Sequence, residues 1–140
     1  MNHYPASNTH PAGIVHAEMD VCRTSDGGRT ELVAQPNTAS LGQSEPRTTA
    51  RRVLFVNRHA VTTNTQTWGS NSGDTGPGAG VVSGTVSGPC RIKSGSCKVI
   101  VEGFAAGRLG SLTAHNDAAK ANMPAGCQIE AGQRKVVVAG

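Results

Sequence analysis

Large aromatic side chains are almost absent from this sequence. Its 140 residues include one Trp, one Tyr and two Phe, which is 3% of the chain. A thick core built on aromatic rings is therefore excluded. The fold must instead use a thin layer of Val, Ile, Leu and Ala, or take support from partners or metals. The length fits a single domain, since domains usually have about 100–200 residues.

Long apolar runs and clustered charge are missing as well. No stretch reaches the roughly 18 apolar residues that a membrane-spanning helix needs. The first residues lack a basic stretch followed by an apolar one, so we predict no signal peptide. The net charge is +4, but the basic residues are scattered and are not interleaved with aromatics. Nucleic-acid binding is therefore not expected as the main function.

The four cysteines, Cys22, Cys90, Cys97 and Cys127, contain no C-x-x-C pair, which disfavours a zinc finger. Two disulfides would require an oxidising compartment. Cys90 and Cys97 lie seven residues apart, and either a disulfide or a reduced buried pair is compatible with this spacing. We favour the reduced pair, because the related segment at the C-terminus has Arg in place of Cys97.

The pattern along the chain is that of strands and loops. Residues 1–19 show no clean period and are predicted to form an extended N-terminal arm. Short strands are predicted at 31–34 and 52–56, where β-branched and aliphatic residues cluster. The Thr-, Ser-, Asn- and Gly-rich tract 62–80 is typical of a loop. Only 113–122 has the composition for a turn or two of helix.

An internal repeat is the most informative feature. Residues 90–103 match residues 127–140 at seven positions with a constant offset of 37. Each copy indicates a short strand, a Gly turn and a second strand with alternating Val, which predicts a β-hairpin. A weaker third copy at 52–57 has Val53 and Phe55 in place of Val99 and Val101.

One hairpin of this kind cannot bury its own apolar face, but several hairpins can share a core. We therefore predict an all-β fold of three hairpins around a pseudo-threefold axis, with long loops between them. In the third copy, Asn57 takes the place of the terminal Gly, and Asn is well suited to a positive φ.

Three segments resemble a known family. Residues 101–116 resemble the strand, Gly turn and Arg-x-Gly-Asp segment of PAAR-repeat proteins, with a His a few residues later. The tract 69–84 and the element Asp20-Val21-Cys22-Arg23-Thr24 resemble the PAAR-like family called DUF4150. The resemblance extends from about residue 20 to the C-terminus, so a PAAR-like domain is expected over 20–140.

The resemblance implies a small β-cone that caps the trimeric, VgrG-like spike of a contractile injection system, most often the type VI secretion system. Such a protein sits as a monomer on a trimer and helps to puncture envelopes and deliver effectors. Effector proteins or a chaperone are further expected partners; nucleic acid and a membrane anchor are not. The implied route is from the bacterial cytoplasm through the injection apparatus.

Two positions depart from the family pattern. Ser111 stands where these proteins usually have Asp, which removes a carboxylate that could bond turn amides. Residues 25–31 replace the Pro-rich run that normally follows the Cys-x-Thr element, so the resemblance does not predict the conformation of this early loop.

A structural zinc near the apex is also implied by the resemblance. On the matching positions, the ligands would be Cys22, His115 and Cys127, with His16 as the fourth and His59 as the next choice. A tetrahedral zinc could supply folding energy where too few residues remain for a core. The alternative is that the cysteines are small buried hydrophobes and that His115 bonds a backbone group.

Catalytic motifs are lacking. No nucleophile elbow, His-Glu-x-x-His or phosphate-loop pattern is present. Asp74, set among glycines, could bind a cation, but this sequence is more typical of a turn. We therefore expect a structural tip protein and not an enzyme. The alternative is a small basic effector or adaptor that binds nucleic acid or another polyanion, with an affinity that falls as salt rises.

Overall fold

The computed structural model describes residues 2–26, 28–71 and 79–140. This part of the chain is all-β, as the sequence predicts, and its helical content is limited to the two 3-10 turns Leu41–Gln43 and Pro46–Thr48. The strands are β1 (His3–Pro5), β2 (Ile14–Asp26), β3 (Arg29–Ser40), β4 (Leu54–Phe55), β5 (Arg58–His59), β6 (Ala79–Gly80), β7 (Arg91–Ile92), β8 (Ile100–Val101), β9 (Phe104–Ala105), β10 (Leu112–His115), β11 (Met123–Glu130) and β12 (Val137–Ala139).

The largest sheet is antiparallel, with the strand order β3-β2-β11-β10-β7, and β6 also pairs with β2. Strands β2 and β3 form one long hairpin, so β3 extends well beyond the predicted 31–34 because β2 offers it a continuous partner. The register shifts where Glu18 and Met19 face Pro36. A bulge at this point accommodates a proline, which has no N–H to donate to the ladder.

Two of the three short hairpins have two-residue turns. Strands β4 and β5 are joined by Val56–Asn57, and β8 and β9 by Glu102–Gly103. All four turn residues have φ values between 50° and 89°. Two adjacent positive φ values are the mark of a type I′ turn, in which Asn and Gly are the favoured residues. The expected equivalence of Asn57 and Gly103 thus has a conformational basis.

The third short pair is a two-stranded sheet in which β12 lies antiparallel to β1; its strands are not consecutive in the chain, but we call it the third hairpin because it packs on the same apolar cluster as the other two. All three hairpins contribute to one apolar cluster. Its members include alternating residues of the repeat, in agreement with the alignment of the three copies. These residues are Val53 and Phe55 from the first copy, Val99 and Val101 from the second, and Val136 and Val138 from the third.

Next to this apolar cluster, three chain segments are joined by a closed ring of backbone hydrogen bonds. Ser7 N–H donates to Gly107 O (2.9 Å), Gly107 N–H to Val61 O (2.8 Å), and Val61 N–H to Ser7 O (3.0 Å). The residue before each of these is a fully buried alanine: Ala6, Ala60 and Ala106. The bonding is therefore the same for each segment, while the conical outline and the threefold axis stay predictions.

The hairpin predicted inside residues 90–103 does not form. Strand β7 pairs with β10, and β8 pairs with β9, so the two strands of each repeat copy belong to different sheets. Gly95 is not a hairpin turn: a Cβ there would lie 2.5 Å from the carbonyl oxygen of Ala106. The glycine allows two backbones to approach closely. The predicted helical turn at 113–122 is also wrong, because its first residues belong to β10.

The N-terminal residues are integrated into the fold. Residues 6–8 are buried, and the expected boundary between residues 19 and 20 falls inside β2, because this strand bridges β3 and β11. The cation or turn proposed at Asp74 lies outside the described residues. Among those described, no helix has the length and apolar character of a membrane span.

The turn at Val56 should be strained, because a β-branched residue at positive φ is a conformational outlier. We expect Val56→Asn to stabilise the protein by about 1 kcal/mol, measured by urea unfolding. Glu102→Asn at the equivalent turn is the control and should give a smaller gain, since Glu is not β-branched. Equal gains at the two turns would contradict this explanation.

Candidate functional site

A buried chain of hydrogen bonds runs through His115 at the end of β10. Thr113 Oγ1 lies 2.7 Å from His115 Nε2, and His115 Nδ1 lies 2.8 Å from Asn37 Oδ1. Asn37 Nδ2 donates to Ser70 Oγ (2.8 Å), which donates to the Gly88 carbonyl (2.7 Å). Since a carbonyl oxygen only accepts, the proton lies on Nδ1, and Nε2 accepts from the threonine hydroxyl.

The Cys90 thiol also contacts this chain. Its Sγ lies 3.2 Å from His115 Nδ1 and 3.3 Å from Asn37 Oδ1. Burial raises the pKa of the Cys90 thiol to about 11. Burial also lowers the pKa of His115 to about 4; the charge of Asp20 opposes this shift, and His16 adds to it. Both groups are therefore neutral near pH 7, and their contact is not the thiolate–imidazolium pair of a cysteine nucleophile.

Gly126 makes room for the imidazole. It lies opposite Thr113 in the β10–β11 register, and a Cβ there would sit 2.3 Å from His115 Nε2. A side chain at this position would displace the ring, because atoms cannot approach so closely. The glycine on β11 is thus part of the site.

A second group of hydrogen bonds is centred on the buried carboxylate of Asp20 in β2. Its Oδ2 accepts from Asn116 Nδ2 (3.1 Å) and from Cys22 Sγ (3.5 Å), and its Oδ1 accepts from Asn122 Nδ2. None of the ion pairs among the described residues includes Asp20. Because a buried carboxylate is costly without hydrogen bonds, these donors are what make its burial tolerable.

Asn116 and Asn122 also hydrogen-bond to the backbone of the loop that contains Val82 and Gly88. Asn116 Oδ1 accepts from Gly88 N–H (2.8 Å), and Asn122 Oδ1 accepts from Val82 N–H (2.7 Å). Asp20 and Asn116 are 96 residues apart in sequence. The Asp-Val-Cys element and the end of the segment 101–116, two separate parts of the family resemblance, are therefore joined in one buried network.

Among the residues that the structure describes, the four expected zinc ligands are not arranged as one metal-binding cluster. Cys22 is buried beside Asp20, which together with burial raises its thiol pKa to about 11. Cys127 is exposed, with Sγ 3.6 Å from the Gln128 carbonyl oxygen. His16 lies opposite Cys127 in the β2–β11 register, and its Nδ1 is 2.8 Å from Thr38 Oγ1.

As placed, these residues do not fit a zinc ion. Both ring nitrogens of His115 are engaged by protein groups. In the described part of the chain, no cluster of three His, Cys, Asp or Glu side chains is arranged to hold a metal. His59, the next choice, bonds the Ala50 carbonyl through Nδ1. The zinc site stays a prediction that rests on the resemblance.

Two further expectations concern Cys97 and Ser111. Cys90 and Cys97 are both free thiols, but only Cys90 is buried, so the predicted buried pair is wrong for Cys97.

Ser111 is buried, and its Oγ accepts from Arg108 N–H at 3.0 Å. The serine thus supplies the turn bond that the usual Asp would have made.

Sequence reasoning assigned no role to Asp20, Asn37, Asn116 or Asn122. A local signal existed for two of them, since Asp20 begins the Asp-Val-Cys element and Asn116 follows His115. Asn37 and Asn122 carried no signal, because their partners lie far away in the sequence.

The comparisons identify the family. The family model for the Toxin PAAR-like domain matches residues 13–125, which include both halves of the buried network. The chain belongs to the Toxin PAAR-like family. The suspected PAAR-like resemblance is thereby confirmed. No curated protein and no solved structure matches the chain.

The PAAR-like domain should lose stability in acid because of His115. Unfolded histidine takes up a proton near pH 6.5, whereas folded His115 does so only near pH 4. The unfolded state binds more protons in this window, so stability falls as pH drops from about 6.5 to 4, by up to about 3 kcal/mol. Urea unfolding at several pH values measures this loss. His115→Gln should flatten the dependence, whereas His3→Gln on the exposed β1 should retain it.

The metal question has a direct test. Since His115 is fully hydrogen-bonded without a metal, a chelator should leave the melting temperature of the PAAR-like domain unchanged. Metal analysis of the purified protein provides the second reading. One zinc per chain, with a fall of several degrees on chelation, would contradict this and support the ligand set implied by the family.

Proposed function

We propose that this PAAR-like protein is the tip of a contractile injection system, most simply of type VI, where it caps a trimeric VgrG-like spike. The observation that carries the proposal is a set of exposed aliphatic side chains at equivalent positions of the three hairpins. Leu54, Ile100 and Val137 are 54%, 63% and 50% exposed. They follow Val53, Val99 and Val136 in the three copies of the repeat.

Strand alternation explains why these side chains face solvent. In each copy, the residues before and after the exposed position belong to the apolar cluster, so the middle residue points away from it. A large aliphatic residue at one exposed position is ordinary, but its occurrence in all three copies points to a contact surface.

A trimer suits such a surface. One chain with three similar hairpins offers each subunit of a threefold partner an equivalent apolar contact, which a single asymmetric patch could not do. Strand addition at the hairpin edges would add main-chain hydrogen bonds to this contact. Because the proposed binding relies on apolar burial, its affinity should depend only weakly on salt.

The remainder of the fold suits a part that is driven into an envelope. The backbone ring and the Asp20 network tie together segments distant in sequence, so local opening must break several long-range contacts. The proposal includes effector proteins or a chaperone as further partners, and export with the spike. It contains no catalytic step, since the Cys90–His115 contact is buried and neutral.

Spike binding should require the three outward aliphatic positions. We expect the purified chain to bind its cognate trimeric spike protein with a Kd of about 1 μM or below, measured by calorimetry. Leu54→Asp, Ile100→Asp and Val137→Asp should each weaken binding by about tenfold or more, because a charge would be buried at the contact.

The matched control is Leu32→Asp in the long β2–β3 hairpin, where a similarly exposed leucine (65%) lies outside the three short hairpins. This variant should bind like the unchanged protein. Circular dichroism of every variant checks that the fold is intact. Failure of the unchanged protein to bind, or an equal loss for Leu32→Asp, would refute the proposed surface.

A further inference from the structure

A surface pocket of about 480 Å³ lies beside the hairpin β4–β5, away from the buried network. Its cationic side chains are Arg51 and Arg58, and His59 lies beside them. Ser44 and Thr49 line another part of it, and no carboxylate is among its lining residues. The volume is within the range of about 300–1,000 Å³ that is usual for small-molecule sites.

No ion pair among the described residues involves the two arginines of this pocket, although the Glu102 carboxylate, which accepts from the Arg52 N–H (3.2 Å), lines a neighbouring pocket together with Arg51. Neither Arg51 nor Arg58 takes part in the ion pairs or side-chain hydrogen bonds found in the described part of the chain. The nearest acid in sequence on this side, Glu45, is already engaged: Oε1 accepts from Arg47 Nη2 (2.8 Å) and Oε2 from Gln66 Nε2 (3.1 Å). Residues 46–59 contain four arginines and no acid.

His59 is oriented with one nitrogen available. Its Nδ1 lies 2.9 Å from the Ala50 carbonyl oxygen, so Nδ1 carries the proton and donates it. The ring is thereby fixed, and Nε2 is left without a hydrogen-bond partner among the described residues. In this tautomer Nε2 accepts a hydrogen bond and does not donate one.

The backbone around the pocket is held by three chain segments. Ala50 N–H donates to Ala60 O, Ala60 N–H to Val53 O, and Thr9 N–H to His59 O, all at 3.0–3.1 Å. The cationic side chains therefore start from a fixed frame. The hydroxyls of Ser44 and Thr49 already donate to carbonyl oxygens, and the Nδ1–H of His59 donates to Ala50, so the donors left for a ligand are the guanidinium N–H groups and the Thr9 hydroxyl.

We propose that this pocket binds the phosphate group of a phosphorylated ligand. His59 is the register partner of Leu54, so the pocket borders the surface proposed to contact the spike. The planar guanidinium matches two phosphate oxygens at once, which favours arginine over lysine at such sites. The volume exceeds that of one phosphate and leaves space for the group that bears it. The phosphate can belong to a small phosphorylated molecule in solution or to a lipid headgroup.

The first test uses inorganic diphosphate as the probe. Titration of the isotope-labelled protein, followed by NMR, should show saturable shifts of the Arg51, Arg58 and His59 signals. Arg51→Gln and Arg58→Gln should each weaken diphosphate binding by about tenfold. Arg23→Gln, which removes the same charge from an exposed position on β2, is the matched control and should change the affinity by less than about twofold.

Vesicles distinguish the two sources of phosphate. If vesicles containing phosphatidic acid in phosphatidylcholine retain the protein, and Arg58→Gln releases it while Arg23→Gln does not, the ligand is a lipid headgroup. If diphosphate binds but these vesicles do not, the ligand is a phosphorylated molecule in solution. If diphosphate binding is not saturable, or if Arg23→Gln weakens it as much as Arg58→Gln does, the charge acts only non-specifically and the proposal is overturned.

Discussion

The ring of backbone hydrogen bonds between Ser7, Val61 and Gly107 is the constraint on which the rest of the fold depends. Because the three chain segments hydrogen-bond directly to one another in this ring, almost no volume is left for side chains between them. Alanine precedes each ring member and is fully buried, and a Cβ at Gly107 would already lie 3.1 Å from Val61. Only small side chains fit at this close approach, which explains the three alanines; Phe55, an aromatic residue that packs against the same cluster, is only partly buried.

A fold with so thin an apolar interior needs other means of fixing its loops. A second apolar cluster includes Leu41 and Ile92 and meets the ring at Val61. Around Asp20 and His115, buried hydrogen bonds hold the loops in place where apolar contacts would do so in an ordinary core. A buried carboxylate is stable only where hydrogen-bond donors reach it. The loops that carry Asn116 and Asn122 are therefore favoured in the arrangement that brings these donors to Asp20. Neutral His115 adds a directional chain that links β10 to β3.

The extent to which sequence predicts this structure depends on the range of the interactions. Alternating Val and Phe identify the buried positions of the three copies, because strand periodicity is local. The family elements predict the domain. Hairpin pairing fails at Gly95, since glycine serves equally for a turn and for a close backbone approach. The two asparagine donors to Asp20 could not be predicted either, because they lie 96 and 102 residues away and nothing local distinguishes a loop asparagine that caps a buried carboxylate from one that faces water.

The third hairpin shows how the two ends of the chain complete the architecture. The family match covers 13–125 and contains the hairpins at Val56 and Gly103, whereas β1 and β12 lie outside it. Without residues 3–7 and β12, the apolar cluster would lose Ala6 and Val138, and the backbone ring would lack Ser7. Pairing strands from opposite ends of the chain has the highest loop-closure cost in the molecule, so this step adds most to the contact order of the fold. The proposed three-part contact with a spike becomes available only once that closure has occurred, which makes binding competence a property of the fully folded chain.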